Sequence, residues 1–248
     1  MKAIEQEYKI LSMRALTDTV FEMKLGGDMS LITRAGQFVN LEVPGKYLRR
    51  PISVCDYTAD TLTLLIKVIG EGTEELSQMK PGTVVNTLTG LGNGFSEDRE
   101  CAAPLLLGGG IGIAPLFNLA KKFLARGIKP VVVLGFNNVS EVCYEEEFRS
   151  LGVETHICTV DGTHGVRGFV TDAIREKKIN ADYFYACGPT PMLRSLCENL
   201  DIPGEVSLES RMACGFGICM CCVVQTKKGG KGICKAGPVF DKDELIWK

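Results

Sequence analysis

Through the first third of the chain apolar and polar positions alternate in short runs, at residues 8–12, 20–23, 37–43, 61–68 and 83–88. Period-two alternation marks a strand with one face buried. Turn residues separate the runs, at Gly26-Gly27, Pro44-Gly45, Gly70 and Pro81-Gly82. Short strands at this spacing predict an antiparallel barrel or sandwich, with a short helix over residues 74–79 capping one end. From about residue 100 the period changes. Apolar runs at 104–107, 129–136, 154–160 and 183–186 alternate with helical patterns at 116–125, 145–150, 170–176 and 191–199. Such alternation predicts a doubly wound parallel sheet covered on both faces. From about residue 204 neither period persists; crowded cysteines are followed by Lys227–Gly232 (KKGGKG), a loop or hairpin tip. The expected division is 1–99, 100–203 and 204–248: a multidomain β + α/β chain with a small C-terminal unit.

Composition narrows the classes. The 45% hydrophobic and 23% charged content of the 248 residues is that of a soluble globular protein, and the net charge of -2 argues against general nucleic-acid or anionic-membrane binding. Residues 101–120 form a run of 20 without charge, long enough to span a bilayer. However, Pro104, Pro115 and four glycines interrupt it, and a short strand turning into a helix accounts for it better. The first fourteen residues carry charges throughout and no apolar stretch of the secretory kind, so the cytosol is the expected compartment.

Two motifs carry chemistry. Gly108-Gly109-Gly110-Ile111-Gly112-Ile113-Ala114-Pro115 joins an expected strand to an expected helix. Glycines there let backbone amides approach a pyrophosphate, and the helix N-terminus adds partial positive charge. Pro115 stands where a strict G-x-G-x-x-G has its third glycine. The acidic residue that dinucleotide folds place at the end of the second strand is missing from Gly135-Phe136-Asn137-Asn138, and so is an arginine. The lack of a cation favours NAD over NADP. Cys187-Gly188-Pro189 reads locally as another strand-to-helix turn.

The second motif is the cysteine cluster. Of eleven cysteines, five crowd into residues 214–234: Cys214, Cys219, Cys221, Cys222 and Cys234. In a reducing compartment, clustered cysteines are metal or redox sites rather than disulfides. The spacing C-x4-C-x2-C with a later fourth cysteine is the plant-type pattern for a [2Fe–2S] cluster. It selects Cys214, Cys219, Cys222 and Cys234. Gly215 and Gly217 allow the loop to wrap a cluster. Structural zinc and a Cys219/Cys222 or Cys221/Cys222 redox switch are the rivals, and spacing alone leaves Cys221 in competition with Cys222.

In this order the segments resemble the ferredoxin-reductase superfamily over essentially the whole chain. Arg50-Pro51-Ile52-Ser53 looks like its flavin motif. The resemblance implies that Arg50 meets the FAD pyrophosphate, that Ser53 lies by the isoalloxazine, that Leu65, Ile66 and Lys67 flank the flavin, and that Gly72 and Thr73 donate to the pyrophosphate. Gly108, Gly109, Gly110 and Gly112, with Gly188 and Pro189, would hold the nucleotide, and Cys187 would lie near the nicotinamide, which makes Ser53 and Cys187 the expected catalytic pair. Glu209-Ser210-Arg211-Met212-Ala213-Cys214-Gly215, Gly237-Pro238-Val239-Phe240, Gly92-Asn93-Gly94-Phe95 and Asp161-Gly162-Thr163 narrow the likeness to the electron-transfer subunits of type B dihydroorotate dehydrogenases. That family usually has glycine where this chain has Cys221. The resemblance implies FAD, a [2Fe–2S] cluster and NAD, with an FMN-containing dihydroorotate dehydrogenase catalytic subunit as partner in a heterotetramer of two of each. A reductase subunit of another flavin/iron–sulfur complex, such as a sulfhydrogenase, is the alternative, and a zinc-stabilised module without turnover is another.

Overall fold

The computed structural model of the chain describes residues 3–247; Met1, Lys2 and Lys248, the outer ends of the first and third expected segments, lie outside the described residues. Strands β1 (Ile4–Ala15), β2 (Val20–Gly26), β3 (Phe38–Leu41), β4 (Arg50–Tyr57), β5 (Thr61–Lys67) and β6 (Val84–Leu91) close an antiparallel barrel in the order β1-β2-β5-β4-β3-β6. Its interior is filled by inward side chains such as Tyr8, Met23, Leu25, Val39, Leu41 and Ile66. β4 is the strand that alternation does not reveal. Arg50 and Pro51 break its apolar pattern, and its second half is buried on both faces: Val54 joins the barrel core, while Cys55 joins Leu65, Ile113, Leu116 and Phe123 in a separate apolar layer. A strand covered on both sides has no polar phase to alternate with. Helix α1 (Glu71–Gln78) begins three residues earlier than its pattern suggests. Thr73 closes that end: its Oγ1 accepts from the amides of Ile69 at 3.0 Å and Gly70 at 3.3 Å.

The next stretch alternates as expected: β7 (Pro104–Gly109), α2 (Ala114–Ala125), β8 (Val131–Phe136), α3 (Glu145–Ser150), β9 (Glu154–Thr159), β10 (Val166–Arg167), α4 (Val170–Glu176), β11 (Tyr183–Cys187), α5 (Thr190–Asn199) and β12 (Gly204–Ser207). The charge-free run at 101–120 is therefore a buried strand, a turn and part of a helix. Among the described residues no helix is long and apolar enough to cross a membrane. The chain then forms the hairpin β13 (Val223–Thr226) and β14 (Gly229–Gly232), the single turn α6 (Ile233–Ala236), and β15 (Val239–Asp241). The large sheet runs β10-β9-β8-β7-β11-β12-β15, parallel except that β15 lies antiparallel to β12. It thus draws strands from both sides of residue 203.

Polar ties hold the barrel against the rest. Asn93 donates through Nδ2 to the Val239 carbonyl at 2.8 Å and accepts from the Val239 amide at 3.1 Å, so Gly92-Asn93-Gly94-Phe95 and Gly237-Pro238-Val239-Phe240 are two sides of one joint. The Glu205 carboxylate accepts from the Ser96 hydroxyl and, at 2.9 Å, from its amide. Asp56 on β4 accepts from Asn118 at 2.8 Å and Lys121 at 2.6 Å on α2. Glu22 on β2 accepts from the Tyr144 hydroxyl at 2.6 Å.

Candidate functional site

The sheet order reverses direction at β7, with β8 on one side and β11 on the other. Open α/β sheets bind ligands at the carboxyl ends of the strands flanking such a point. A cleft of about 500 Å³ lies there, with Gly109, Gly110, Phe136, Phe169, Pro189 and Met192 in its wall. The glycine motif makes this wall thin. Gly110 takes φ +53, and a single 3₁₀ turn over Gly110–Ile113 leads into α2. A Cβ on Gly112 would lie 2.4 Å from the Cys187 carbonyl oxygen, and one on Gly109 would lie 2.6 Å from Met192 Sδ. The two turns at the switch point, Gly108–Gly112 and Cys187–Pro189, therefore pack against each other through bare backbone. Gly109, Gly110 and Pro189 face the cleft, while Gly108, Gly112, Cys187 and Gly188 are outside its lining and close-packed behind it. Cys187 is buried, and burial pushes its thiol well up, so it is a neutral thiol at the end of β11.

Residues from all three segments reach this cleft. Lys67 enters from the barrel and Glu209 from the C-terminal segment. Desolvation raises the Glu209 carboxyl against the lowering influence of Lys67. The acidic group missing from the end of β8 appears one turn later: Glu141 lines the cleft, and Asn137 Nδ2 donates to both its carboxylate oxygens at 3.0 Å. Asp161-Gly162-Thr163 shapes the neighbouring turn, where Asp161 accepts from the Thr163 amide at 3.0 Å and Thr163 Oγ1 accepts from the Val139 amide at 2.9 Å. Period and motif spacing did not single out Glu141 or the exposed ring of Phe169. For Glu209 the signal was its place at the head of the cysteine motif.

Arg50, Pro51, Ile52 and Ser53 lie on β4 in register with Leu41, Asn40, Val39 and Phe38 of β3. Directly paired residues share a face. Val39 and the half-buried Ile52 belong to the barrel core, so Ser53 and Pro51 share the outer face with Phe38 and Asn40. The Arg50 guanidinium lies against the first turn of α1, where a Cβ on Gly72 would come within 2.2 Å of it. Glycine is thus the residue that lets an arginine and a helix N-terminus converge, an arrangement that fits a pyrophosphate. Thr73 spends its hydroxyl on the helix cap and its amide on the Gly70 carbonyl at 3.0 Å, so it shapes the turn on which an anion meets Arg50 and Gly72. Leu65 and Ile66 are fully committed to apolar layers on opposite sides of β5 and would meet a flavin through backbone alone; Lys67 presents its side chain.

The cysteines divide by burial. Cys222 and Cys234 are buried in an apolar cluster with Phe38, Leu88, Leu91 and Phe240. Cys214 is half-buried and Cys219 exposed. Cys222 Sγ accepts from the Cys234 amide at 3.3 Å, and the Cys222 and Cys234 side chains hydrogen-bond to each other. Cys214 is hydrogen-bonded to Cys219. Cys221 is exposed, and its Sγ donates to the Arg211 carbonyl at 3.7 Å. Burial alone raises the Cys214 thiol, but donation from the amides of Cys219 and Phe216 brings it down to about 6. Burial, then the Cys222 and Cys214 sulfurs, push Cys234 up to about 12. Among the described residues no three His, Cys, Asp or Glu side chains are already drawn together as a metal-holding group. The four thiols form two pairs, a soft all-sulfur donor set suited to an iron–sulfur cluster or zinc rather than to a hard cation.

Comparison with known proteins decides the family. Residues 209–246 match the iron-sulfur cluster binding domain of dihydroorotate dehydrogenase B, and residues 106–198 match an oxidoreductase NAD-binding domain. The dihydroorotate dehydrogenase B (NAD(+)) electron transfer subunit of Bacillus caldolyticus is 42% identical over 249 residues, covering 96% of each chain. The chain belongs to this family of electron transfer subunits. The Fusobacterium nucleatum member is 42% identical over 235 residues, covering 89% of this chain and 90% of its own. Among solved structures, an NADH-dependent reduced ferredoxin-NADP oxidoreductase, studied for flavin-based electron bifurcation, superposes with a TM-score of 0.87 at 30% identity, covering 97% of this chain and 90% of that one. A ferredoxin NADP+ reductase from Neisseria gonorrhoeae, at 18% identity and TM-score 0.68 over 79% of this chain and 90% of its own, shares the fold. In the electron transfer subunit family the barrel, the NAD-binding sheet and the cysteine segment are thus parts of one oxidoreductase.

Proposed function

We propose that this chain is the electron transfer subunit that carries electrons from a dihydroorotate-oxidising catalytic subunit to NAD⁺ in pyrimidine biosynthesis. The observation that carries the reading is the convergence of the three sites. Ser53 is paired with Phe38, which belongs to the same apolar cluster as Cys222 and Cys234; Lys67 of the barrel and Glu209 of the cysteine segment both line the nucleotide cleft.

Cys214, Cys219, Cys222 and Cys234 are the residues for a [2Fe–2S] cluster, the Arg50–Ser53 strand with Lys67, Gly72 and Thr73 those for FAD, and Gly109, Gly110 and Pro189 those for NAD. Bound there, the cluster supplies one-electron exchange and the flavin couples single electrons to hydride transfer. The residues around them do the remaining work. Arg50 and the α1 N-terminus at Gly72, in a turn closed by Thr73, hold anionic charge. Ser53 offers a hydroxyl on the outer barrel face. Cys187, a neutral thiol, shapes the floor behind the glycine turn without adding charge. Glu141 and Glu209 put acceptors on the cleft wall, a lining that suits hydroxyl donors better than a further phosphate, in keeping with NAD.

The catalytic partner is an FMN-containing dihydroorotate dehydrogenase subunit, the assembly a heterotetramer of two of each, and the compartment the cytoplasm. The purified chain is expected to contain iron and FAD and to reduce dyes with NADH. Dihydroorotate-dependent NAD⁺ reduction appears only after the partner is added. Dihydroorotate turnover by the chain alone, or colourless protein with stoichiometric zinc, contradicts the proposal. The likeness to a bifurcating oxidoreductase favours one second reading, a reductase subunit serving a different flavin/iron–sulfur complex; co-purification with a dihydroorotate-oxidising subunit separates the two.

A further inference from the structure

Asn40 is a buried polar side chain for which the barrel itself has no use. It sits on β3 at 1% exposure, between Val39 and Leu41, whose side chains fill the barrel. Strand alternation turns Asn40 outward, onto the same face as Phe38, which shares an apolar cluster with Cys222 and Cys234. There its Nδ2 donates to the Cys214 carbonyl at 3.5 Å, while its Oδ1 is buried without a partner. Leaving an acceptor unpaired in the interior is unfavourable, and a leucine of similar volume avoids it. Gly215 shows the same contact from the other side: a Cβ there would come within 2.5 Å of Asn40 Nδ2, and its φ of +77 is one that side chains rarely adopt. The barrel side chain therefore sets how closely the peptide after the first cysteine approaches. On the neighbouring strand Asn40 faces Pro51, inside the Arg50–Ser53 motif.

We infer that Asn40 is a positioning residue that fastens the first cluster ligand, Cys214, to the strand pair holding the flavin motif, and thereby tunes the cluster. The inference rests on the [2Fe–2S] reading proposed above. The link runs through the loop. The Ile218 amide donates to the Cys214 sulfur at 3.4 Å, and the amides of Cys219 and Phe216 in the same loop add to it. Their aim depends on where the Cys214 peptide is held, and Asn40 holds it by its carbonyl. Hydrogen bonds to ligand sulfurs stabilise negative charge and help set a cluster's potential. Without Asn40 the loop slackens, those bonds lengthen, and the reduced cluster loses stabilisation.

The test uses the full chain loaded with iron, sulfide and FAD, as wild type, Asn40→Leu and Asn40→Ser. Asn86→Leu on β6 serves as control, because Asn86 Oδ1 is also buried without a partner. Redox titration followed by electron paramagnetic resonance reads the cluster. Both Asn40 variants are expected to retain iron, to shift the midpoint potential downward by up to about 59 mV, a tenfold change in the oxidised-to-reduced ratio for one electron, and to alter the g-values. Asn86→Leu is expected to match wild type. Should Asn40→Leu fail to fold, the smaller Asn40→Ser decides by the same criterion. Wild-type potential and spectrum in the folded Asn40 variants overturn the inference while leaving the cluster reading intact; a wild-type chain that takes up no iron overturns the cluster reading and this inference with it.

Discussion

At the nucleotide cleft the turns at the strand ends pack backbone against backbone, held by parallel strand pairs; the cysteines sit on an irregular loop and on the far side of a hairpin. The cleft is complete in the bare chain, with a volume of about 500 Å³. The cysteine site is two thiol pairs, with Cys222 and Cys234 buried and Cys219 exposed. A site made of strand ends inherits the rigidity of the sheet. A site made of a loop acquires its final geometry from the metal, because metal-binding free energy becomes folding free energy.

The sharpest way to probe that contrast is to remove a thiol. Cys222→Ser is expected to abolish the cluster, with loss of iron and of visible absorbance, whereas Cys221→Ser keeps both, since Cys221 is turned to the Arg211 carbonyl. Loss on Cys221→Ser alone reverses the ligand assignment. NADH binding in Cys222→Ser is expected to survive, because the cysteine segment gives the cleft Glu209 but none of the cysteines. A smaller effect is expected from closing the cleft's own packing. Gly112→Ala forces a methyl against the Cys187 carbonyl, an overpacking worth about 1–3 kcal/mol; it lowers the melting temperature and weakens NADH binding, while the iron content stays at the wild-type level. If Gly112→Ala empties the cysteine site as well, the two regions are not independent.

Smaller again is Phe169→Ala. The Phe169 ring is 62% exposed and forms part of the cleft wall. Ring contacts contribute about 0.5–1.5 kcal/mol, so NADH is expected to bind roughly two- to tenfold more weakly by fluorescence titration. The smallest effect is at the barrel–sheet tie. Burial raises the Glu22 carboxyl, but hydrogen bonds from Arg14 and Tyr144 outweigh it and hold its pKa below the ordinary value. A carboxylate lowered in the folded state adds stability above the ordinary carboxylate range and loses it as pH falls through the lowered value. Glu22→Gln should cost about 1 kcal/mol at neutral pH and flatten the acid limb of the stability curve. An unchanged acid limb removes Glu22 from the account.

Elements with a clean period were legible. Helices at 145–150 and 170–176 were read to the residue, and β5, β8 and β9 to within two residues at either end. β4 was not, because it is covered on both faces and opens with Arg50-Pro51. β10, with two residues, is too short to carry a period. β12 and β15 carry too few residues to show which sheet they join, so a boundary near 204 was the natural reading although the sheet continues through it. At the site, motif spacing pointed to the glycine turn and the cysteines. It was silent on Asn40, Glu141 and Phe169, single residues without a repeating pattern, whose importance comes from what lies across from them.

By itself the sequence determined the donor chemistry and the local turns. Three thiols at fixed separations on one loop with a fourth beyond a hairpin, and glycines between a strand and a helix, follow from the order of residues along the chain. Only the tertiary structure decided which residues meet across distance: Cys222 rather than Cys221 beside Cys234, Lys67 and Glu209 in one cleft, Asn40 against the Cys214 peptide. Those meetings depend on barrel closure, on sheet order and on the joint between Asn93 and Val239. Each is set by burial of surfaces far apart along the chain, which no local period records.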